Sequence, residues 1–229
     1  MDPQAAGRVA EDYVTLIWKA SEWPHGQATT TGLADRLGVT PSTVSANLKK
    51  LTRDGLITYR PYGPIRLTEA GEALAVTVVR RHRLIETYLV NCLGLRWDQV
   101  HHEADLLEHA VSDLVLARMD EALGHPERDP HGDPIPQPDG TVPPTEAAPL
   151  TALPPGKSAR VMRVSDRHPE VLRYLSTLNI TVGTPITVLE HLPAAGIVRI
   201  TTPTGTADIS STAAHDIRAE ILPPSADPT

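Results

Sequence analysis

The spacing of apolar residues divides the chain into three regimes. Over the first 123 residues they recur every three or four positions, the period of helices that bury one face. Residues 8–23 place Val9, Tyr13, Leu16, Ile17 and Ala20 on such a face, and Pro24-His25-Gly26 ends it. Residues 30–37 form a short helix, Gly38-Val39-Thr40 a tight turn, and residues 41–51 a second helix with Thr40 as N-cap and Pro41 at its first position. Two short helices about a glycine turn form a helix-turn-helix, with Leu33, Ala34, Leu37, Val39, Val44, Leu48 and Leu51 as its core. The following stretch, turning at Pro61-Tyr62-Gly63-Pro64, reads as a hairpin wing. Thr68 caps a long helix to about Cys92, and a third helix is expected unbroken over 97–123.

The second regime, 124–156, holds ten prolines, which preclude a continuous helix or sheet. It reads as an ordered turn over 129–138 followed by a stiffened linker. In the third regime the period changes to two. Runs at 159–164, 185–189, 197–200 and 206–209, with a short helix over 170–178, predict about five short strands in a small barrel. The expected division is 1–73 for the winged helix-turn-helix, 74–140 for a helical domain, 141–156 for the linker, 157–223 for the barrel and 224–229 for a tail. The fold class is mainly α with a small β part.

Charge sharpens the first domain. The chain carries a net −7, yet between Thr40 and Arg66 the balance is +4. Positive charge is concentrated where a duplex would lie against a helix-turn-helix. Candidate DNA contacts are Thr30, Thr40, Ser42, Thr43, Ser45, Ala46, Asn47, Lys49, Lys50 and Arg60: small hydroxyl residues near the recognition-helix N-terminus for the groove, lysines for phosphates. Leu106, Leu107, Ala110, Leu114 and Met119 give the third helix more apolar surface than a monomer needs, so a homodimer is expected. The single Cys92, among Leu89, Val90 and Leu93, reads as a buried thiol and excludes a disulfide framework. No signal peptide or membrane span is legible, so a cytoplasmic protein with no membrane partner is expected.

Candidate chemistry gathers on two helices. Residues 100–109 hold three histidines and three carboxylates; His101, Asp105 and Glu108 share a helical face and His109 lies one turn beyond Asp105. His82 and Glu86 are likewise four apart. One such pair reads as a satisfied buried histidine beside a surface acid. Two pairs on successive helices point to a divalent metal, with His82, Glu86 and His101 as one set and Asp105, Glu108 and His109 as another. The donors are oxygen and imidazole nitrogen without sulfur, a set that suits Mn²⁺ better than softer ions. Asp12, on the first helix, reads by itself as a solvated carboxylate favouring the helix dipole.

These motifs carry a resemblance. Thr43-Val44-Ser45, Arg53-Asp54-Gly55-Leu56, Leu67-Thr68-Glu69-Ala70-Gly71, His82 to Glu86, Glu108-His109 with Ser112-Asp113, and His131-Gly132-Asp133-Pro134-Ile135-Pro136 occur in the order seen in the diphtheria-toxin-repressor (iron-dependent repressor) family of metal-dependent regulators. The resemblance covers nearly the whole chain. It implies a homodimer with a winged helix that binds an operator in double-stranded DNA, a helical dimerisation domain and a FeoA-like small barrel. It also implies two metal sites per subunit. One is similar to His82, Glu86 and His101 with a further ligand from the barrel, where His168 aligns and Asp166 and Glu170 are rivals; the other is similar to Asp12, Asp105, Glu108 and His109. The resemblance thus reverses the reading of Asp12. Iron-responsive relatives place Met and Cys where this chain has Asp12 and Asp105, so the likeness is to the manganese-responsive branch: a Mn²⁺-activated regulator, most simply a repressor, of manganese homeostasis. Fe²⁺, Co²⁺, Zn²⁺ or Cd²⁺ are the substitutes to test. Where iron-type members have a base-contacting Gln this chain has Ala46, so the operator is not carried over. Catalysis is not expected, since no nucleophile motif accompanies the acids; the alternatives are an Fe²⁺-responsive member, a metallohydrolase, or a winged helix indifferent to metal.

Overall fold

The computed structural model describes residues 3–23, 26–60, 63–145 and 147–223. The expected helix end at Pro24-His25, the wing tip at Pro61-Tyr62 and the tail 224–229 lie outside the described residues. The chain forms two compact units, Met1–His82 with Pro136–Thr141 and Arg83–Ile135 with Val142–Thr229.

In the first unit, α1 (Pro3–Ser21), α2 (Thr30–Leu37) and α3 (Pro41–Arg53) precede a two-stranded antiparallel wing, β1 (Ile57–Thr58) and β2 (Arg66–Leu67), and the start of α4 (Glu69–Asn91). Local chemistry sets these boundaries. The Thr29 hydroxyl caps α2, accepting from the Gly32 amide, and Gly38 closes it in the left-handed conformation. The Thr40 hydroxyl caps α3 by accepting from the Thr43 amide. One apolar cluster joins Tyr13, Val14 and Ile17 of α1 to Val44, Leu48 and Leu51 of α3, with Val76 and Val79 of α4. Gly71 lets α4 pass close to the turn before the wing: a Cβ there would stand 1.9 Å from the Leu56 carbonyl oxygen. The Thr68 hydroxyl ties the same turn down by donating to the Gly55 carbonyl, 2.6 Å away.

The second unit contains the rest of α4, then α5 (Val100–Leu107) and α6 (Asp113–Ala122). The expected unbroken third helix is therefore two helices. Ser112 adopts an extended conformation and caps α6 through Val115, which interrupts the helical path although the apolar period continues across it. Cys92 is exposed, not buried: it lies just past the end of α4, beside the exposed Leu93. Leu106, Leu114 and Val115 are exposed, so α5 and α6 present apolar surface in the single chain.

The remaining strands, β3 (Ala148–Pro149), β4 (Ser158–Val164), β5 (Pro185–Leu192), β6 (Ile197–Thr202), β7 (Gly205–Ser210) and β8 (Ile217–Ile221), form one antiparallel sheet in the order β3-β8-β4-β5-β6-β7. Helices α7 (Pro169–Thr177) and α8 (Ser211–His215) complete its apolar core. That core begins earlier than the linker reading allowed: Ala148 pairs with Ala219, and Leu150 and Leu153 are buried in it.

Candidate metal centre and nucleic-acid face

The second unit is built around a polar interior. Arg83, one turn before Thr87 on α4, is fully buried. Its guanidinium donates to the Pro134 carbonyl at 2.7 Å and pairs with Asp133 at 3.3 Å and Asp129 at 3.8 Å. Arg163 of β4 bonds the other oxygen of Asp133. Asp129 Oδ1 accepts the backbone N–H groups of His131 and Asp133 at 2.9 and 2.8 Å, shaping the loop that carries them. At Gly132 the loop meets β4 so closely that a Cβ would lie 2.0 Å from the Met162 carbonyl oxygen, and φ is +85°. Buried charges persist only when paired and hydrogen-bonded in this way.

Glu86 lies beside this network, one turn beyond His82 on α4, and both are buried. His101 Nδ1 of α5 is 3.3 Å from Glu86 Oε1 and 3.0 Å from Asp166 Oδ2, and Glu86, His101 and Asp166 offer ligand atoms within 4.8 Å of one another. Asp166 follows β4. Of the three residues weighed on the barrel side, Asp166 stands in this cluster, whereas the His168 ring stands at the N-terminus of α7, half exposed, facing Glu170 at 3.4 Å.

A further group completes the interior. Glu86, Asp129 and His131, all buried, also meet the distance condition for a metal cluster. His131 Nε2 is 2.8 Å from the Trp97 carbonyl, which can only accept, so Nε2 carries the hydrogen. Nδ1 is buried without a hydrogen-bond partner, 3.7 Å from Glu86 Oε2. Trp97 stacks on the ring and anchors it to the barrel by donating Nε1–H to Ser176. Burial alone would push the His131 imidazolium down; Glu86, then Asp129 and Asp166, outweigh it and raise its pKa. Burial pushes the Asp129 carboxyl up to about 8, with Asp133 adding to the effect and His131 opposing it. With Nε2–H held by the Trp97 carbonyl, Nδ1 faces the Glu86 carboxylate, where a divalent ion could take the place of a proton. Asp129 and His131 were missed in the sequence although His131 begins the motif that carried the resemblance; its glycine and prolines read as backbone punctuation.

The other expected set lies at the end of α5 and on α1. Glu108 is buried at the C-terminus of α5 and its carboxylate is 3.3 Å from His109 Nε2. Asp105 is exposed, 3.7 Å from His101 Nε2, and its oxygen comes within 4.8 Å of Glu108. Asp12 is half-buried on α1 of the first unit. His102 and Glu103 are exposed.

On α3, Ser42, Thr43, Ala46 and Lys49 are exposed, as are Thr40 before it and Arg60 in the wing; Thr30, Ser45, Asn47 and Lys50 are partly covered. Several hydroxyls already have partners. Thr40 Oγ1 bonds those of Ser42 and Thr43, and Ser45 donates back to the Pro41 carbonyl. Asn47 Nδ2 donates to the Tyr13 hydroxyl at 3.2 Å, an engagement the sequence did not suggest.

Three family models match the chain: the iron dependent repressor N-terminal DNA binding domain over residues 6–65, the iron dependent repressor metal binding and dimerisation domain over 68–137, and the FeoA domain over 148–221. The iron-dependent repressor IdeR of Mycobacterium leprae is 32% identical over 200 residues, covering 82% of this chain and 86% of that protein. The diphtheria toxin repressor of Corynebacterium efficiens is 33% identical over 198 residues, with 82% and 85% covered. A solved manganese-dependent transcriptional repressor in complex with manganese superposes with a TM-score of 0.87 at 45% identity, covering 93% of this chain and all of that one. Among the described residues no helix is long and apolar enough to cross a membrane.

Proposed function

We propose, for a chain that belongs to the iron-dependent repressor family of metal-dependent transcriptional repressors, that Mn²⁺ is its activating ion and that it binds operator DNA as a homodimer to control manganese homeostasis. The observation that carries this reading is the donor chemistry. His82, Glu86, His101 and Asp166 would hold one ion, with Asp129 and His131 beside them, and Asp12, Asp105, Glu108 and His109 another. Every donor is oxygen or imidazole nitrogen, and such sets favour Mn²⁺ over the softer ions that thiolate or thioether would recruit. The bound ion supplies positive charge to acids that otherwise repel one another. By sharing it, Asp12 of α1 and the acids of α5 would restrain the recognition helices at a spacing that fits half-sites about one DNA turn apart, or a multiple. The exposed Leu106, Leu114 and Val115 supply the apolar surface for the dimer.

An Fe²⁺-responsive repressor is the second reading, favoured by the identity to mycobacterial IdeR over most of both chains. A titration separates them. The full chain is mixed with a duplex that it selects from a random library, and binding is followed across Mn²⁺, Fe²⁺, Co²⁺ and Zn²⁺. Activation by Mn²⁺ at the lowest free concentration supports the first reading; activation by Fe²⁺ at a lower one supports the second.

A further inference from the structure

We propose that the Tyr13–Asn47 hydrogen bond couples the metal-sensing helix to the recognition helix, and that Tyr13 and Asn47 are positioning residues for DNA binding. This rests on the metal reading of Asp12 above. Three observations carry it. Asp12 and Tyr13 are consecutive on α1, so a force on one carboxylate moves the neighbouring ring. Tyr13 is only 2% exposed, packed in the cluster that contains Val44, Leu48 and Leu51 of α3. Within those apolar contacts, which allow sliding and rotation because they are non-directional, the Asn47 amide donates to the phenol oxygen at 3.2 Å. A hydrogen bond weakens steeply as its angle departs from linearity, so this one fixes the rotation of α3 about its axis relative to α1.

Asn47 itself is poorly placed to read bases. Ala46 and Lys49 are exposed on the outer side of α3, whereas Asn47 lies on the flank toward α1 with its amide engaged. Its neighbours Thr43 and Ala46 are the exposed positions whose pose against a duplex it would set. The Asn47 assignment as a direct DNA contact is accordingly replaced by a role as a bolt: capture of Asp12 orders α1, and the bond carries that order to the recognition helix. In a two-state regulator such a link acts only through the difference between metal-bound and metal-free states.

The test is a double-mutant cycle on the full chain with Tyr13→Phe, Asn47→Ala and both together. The readout is the ratio of affinities for the selected duplex with and without Mn²⁺, measured by fluorescence anisotropy beside a Mn²⁺ binding isotherm and a thermal melt. Each single variant should lower the ratio about fivefold, the scale of one hydrogen bond, and the double variant no further, while Mn²⁺ affinity stays unchanged. Asn47→Asp, which can accept from the phenol, should recover the ratio even if its charge weakens DNA binding in both states. Equal losses with and without Mn²⁺, additive losses in the double variant, or an altered base preference for Asn47→Ala on renewed selection would each overturn the coupling. If the unaltered protein shows no response to Mn²⁺, the metal reading falls and this inference with it; a normal response with unchanged ratios in the variants removes the inference alone.

Discussion

The two acid–imidazole groups on α4 and α5 are built in opposite ways. Around Glu86 the candidate donors are braced: Arg83 and Arg163 pair with Asp133, the Trp97 carbonyl accepts from His131 Nε2, and Asp166 follows the strand that also holds the loop. At the end of α5, Asp105 is half exposed, and the buried Glu108 lies 3.3 Å from His109 Nε2. A braced site has little left to rearrange, so occupying it stabilises without signalling. If, as proposed, Asp12 of the first unit completes the other set, that set would gain affinity only in the state that brings the parts together, and that difference would be its leverage. The proposed division of labour follows: the Glu86 cluster as a structural centre, the Asp12 set as the switch.

The largest expected effect breaks the brace. Arg83→Leu removes the buried guanidinium that donates to the Pro134 carbonyl and pairs with Asp133 and Asp129, and should destabilise the second unit by about 3–5 kcal/mol, read as a lowered denaturation midpoint. A variant as stable as the parent would show that the network is not what holds this interior. Next comes the switch. Asp12→Ala should reduce the Mn²⁺-dependent gain in duplex affinity by up to about 150-fold, the upper range of allosteric couplings, whereas Glu86→Gln should reduce it about tenfold or less while lowering the amount of Mn²⁺ bound. Reversal of that order in the anisotropy titration would exchange the two roles. Smaller again is a change of preference: Asp12→Met with Asp105→Cys should lower the Fe²⁺ or Co²⁺ needed for activation relative to Mn²⁺, and an unaltered ranking would count against donor softness as the selector.

The smallest effect lies far from both groups, where Arg199 bonds Asp208 on the exposed face of β6 and β7. That hydrogen bond holds the Asp208 carboxyl below its usual 3.8. A carboxyl depressed in the folded state contributes stability above its unfolded value, and the contribution is lost as pH falls through the folded one. Asp208→Asn should therefore lower the melting temperature slightly at neutral pH and leave it unchanged in strong acid; an equal loss at both would mean that packing, not charge, is what the residue provides.

What could be read from the sequence was local. Thr40, Pro41 and Gly38 mark the helix-turn-helix because caps and left-handed turns act within three or four residues, and α2 begins and ends where they place it. His82 with Glu86 was visible because both ride one helix. The choice among Asp166, His168 and Glu170 was not, since it depends on how a turn leaves β4. Nor was the break at Ser112, because the leucines keep their spacing on either side of it. Cys92 misled through its apolar neighbours, of which Leu89 is buried but Leu93 is exposed like Cys92 itself.

The close approach of Gly132 to Met162 bears on modularity. The His131 carbonyl accepts from the Val164 amide at 2.8 Å, Asp133 takes its counter-charge from Arg163, and Asp166 reaches the histidine of α5. Three of the supports of a helical-domain interior therefore belong to the barrel. The C-terminal domain is not a detachable passenger: removing residues 148–221 would strip that interior of the charge partner Arg163 and of the Asp166 carboxylate at once. A shortened chain would need a different residue in place of Asp133 to keep the same core, so the two domains are constrained to change together.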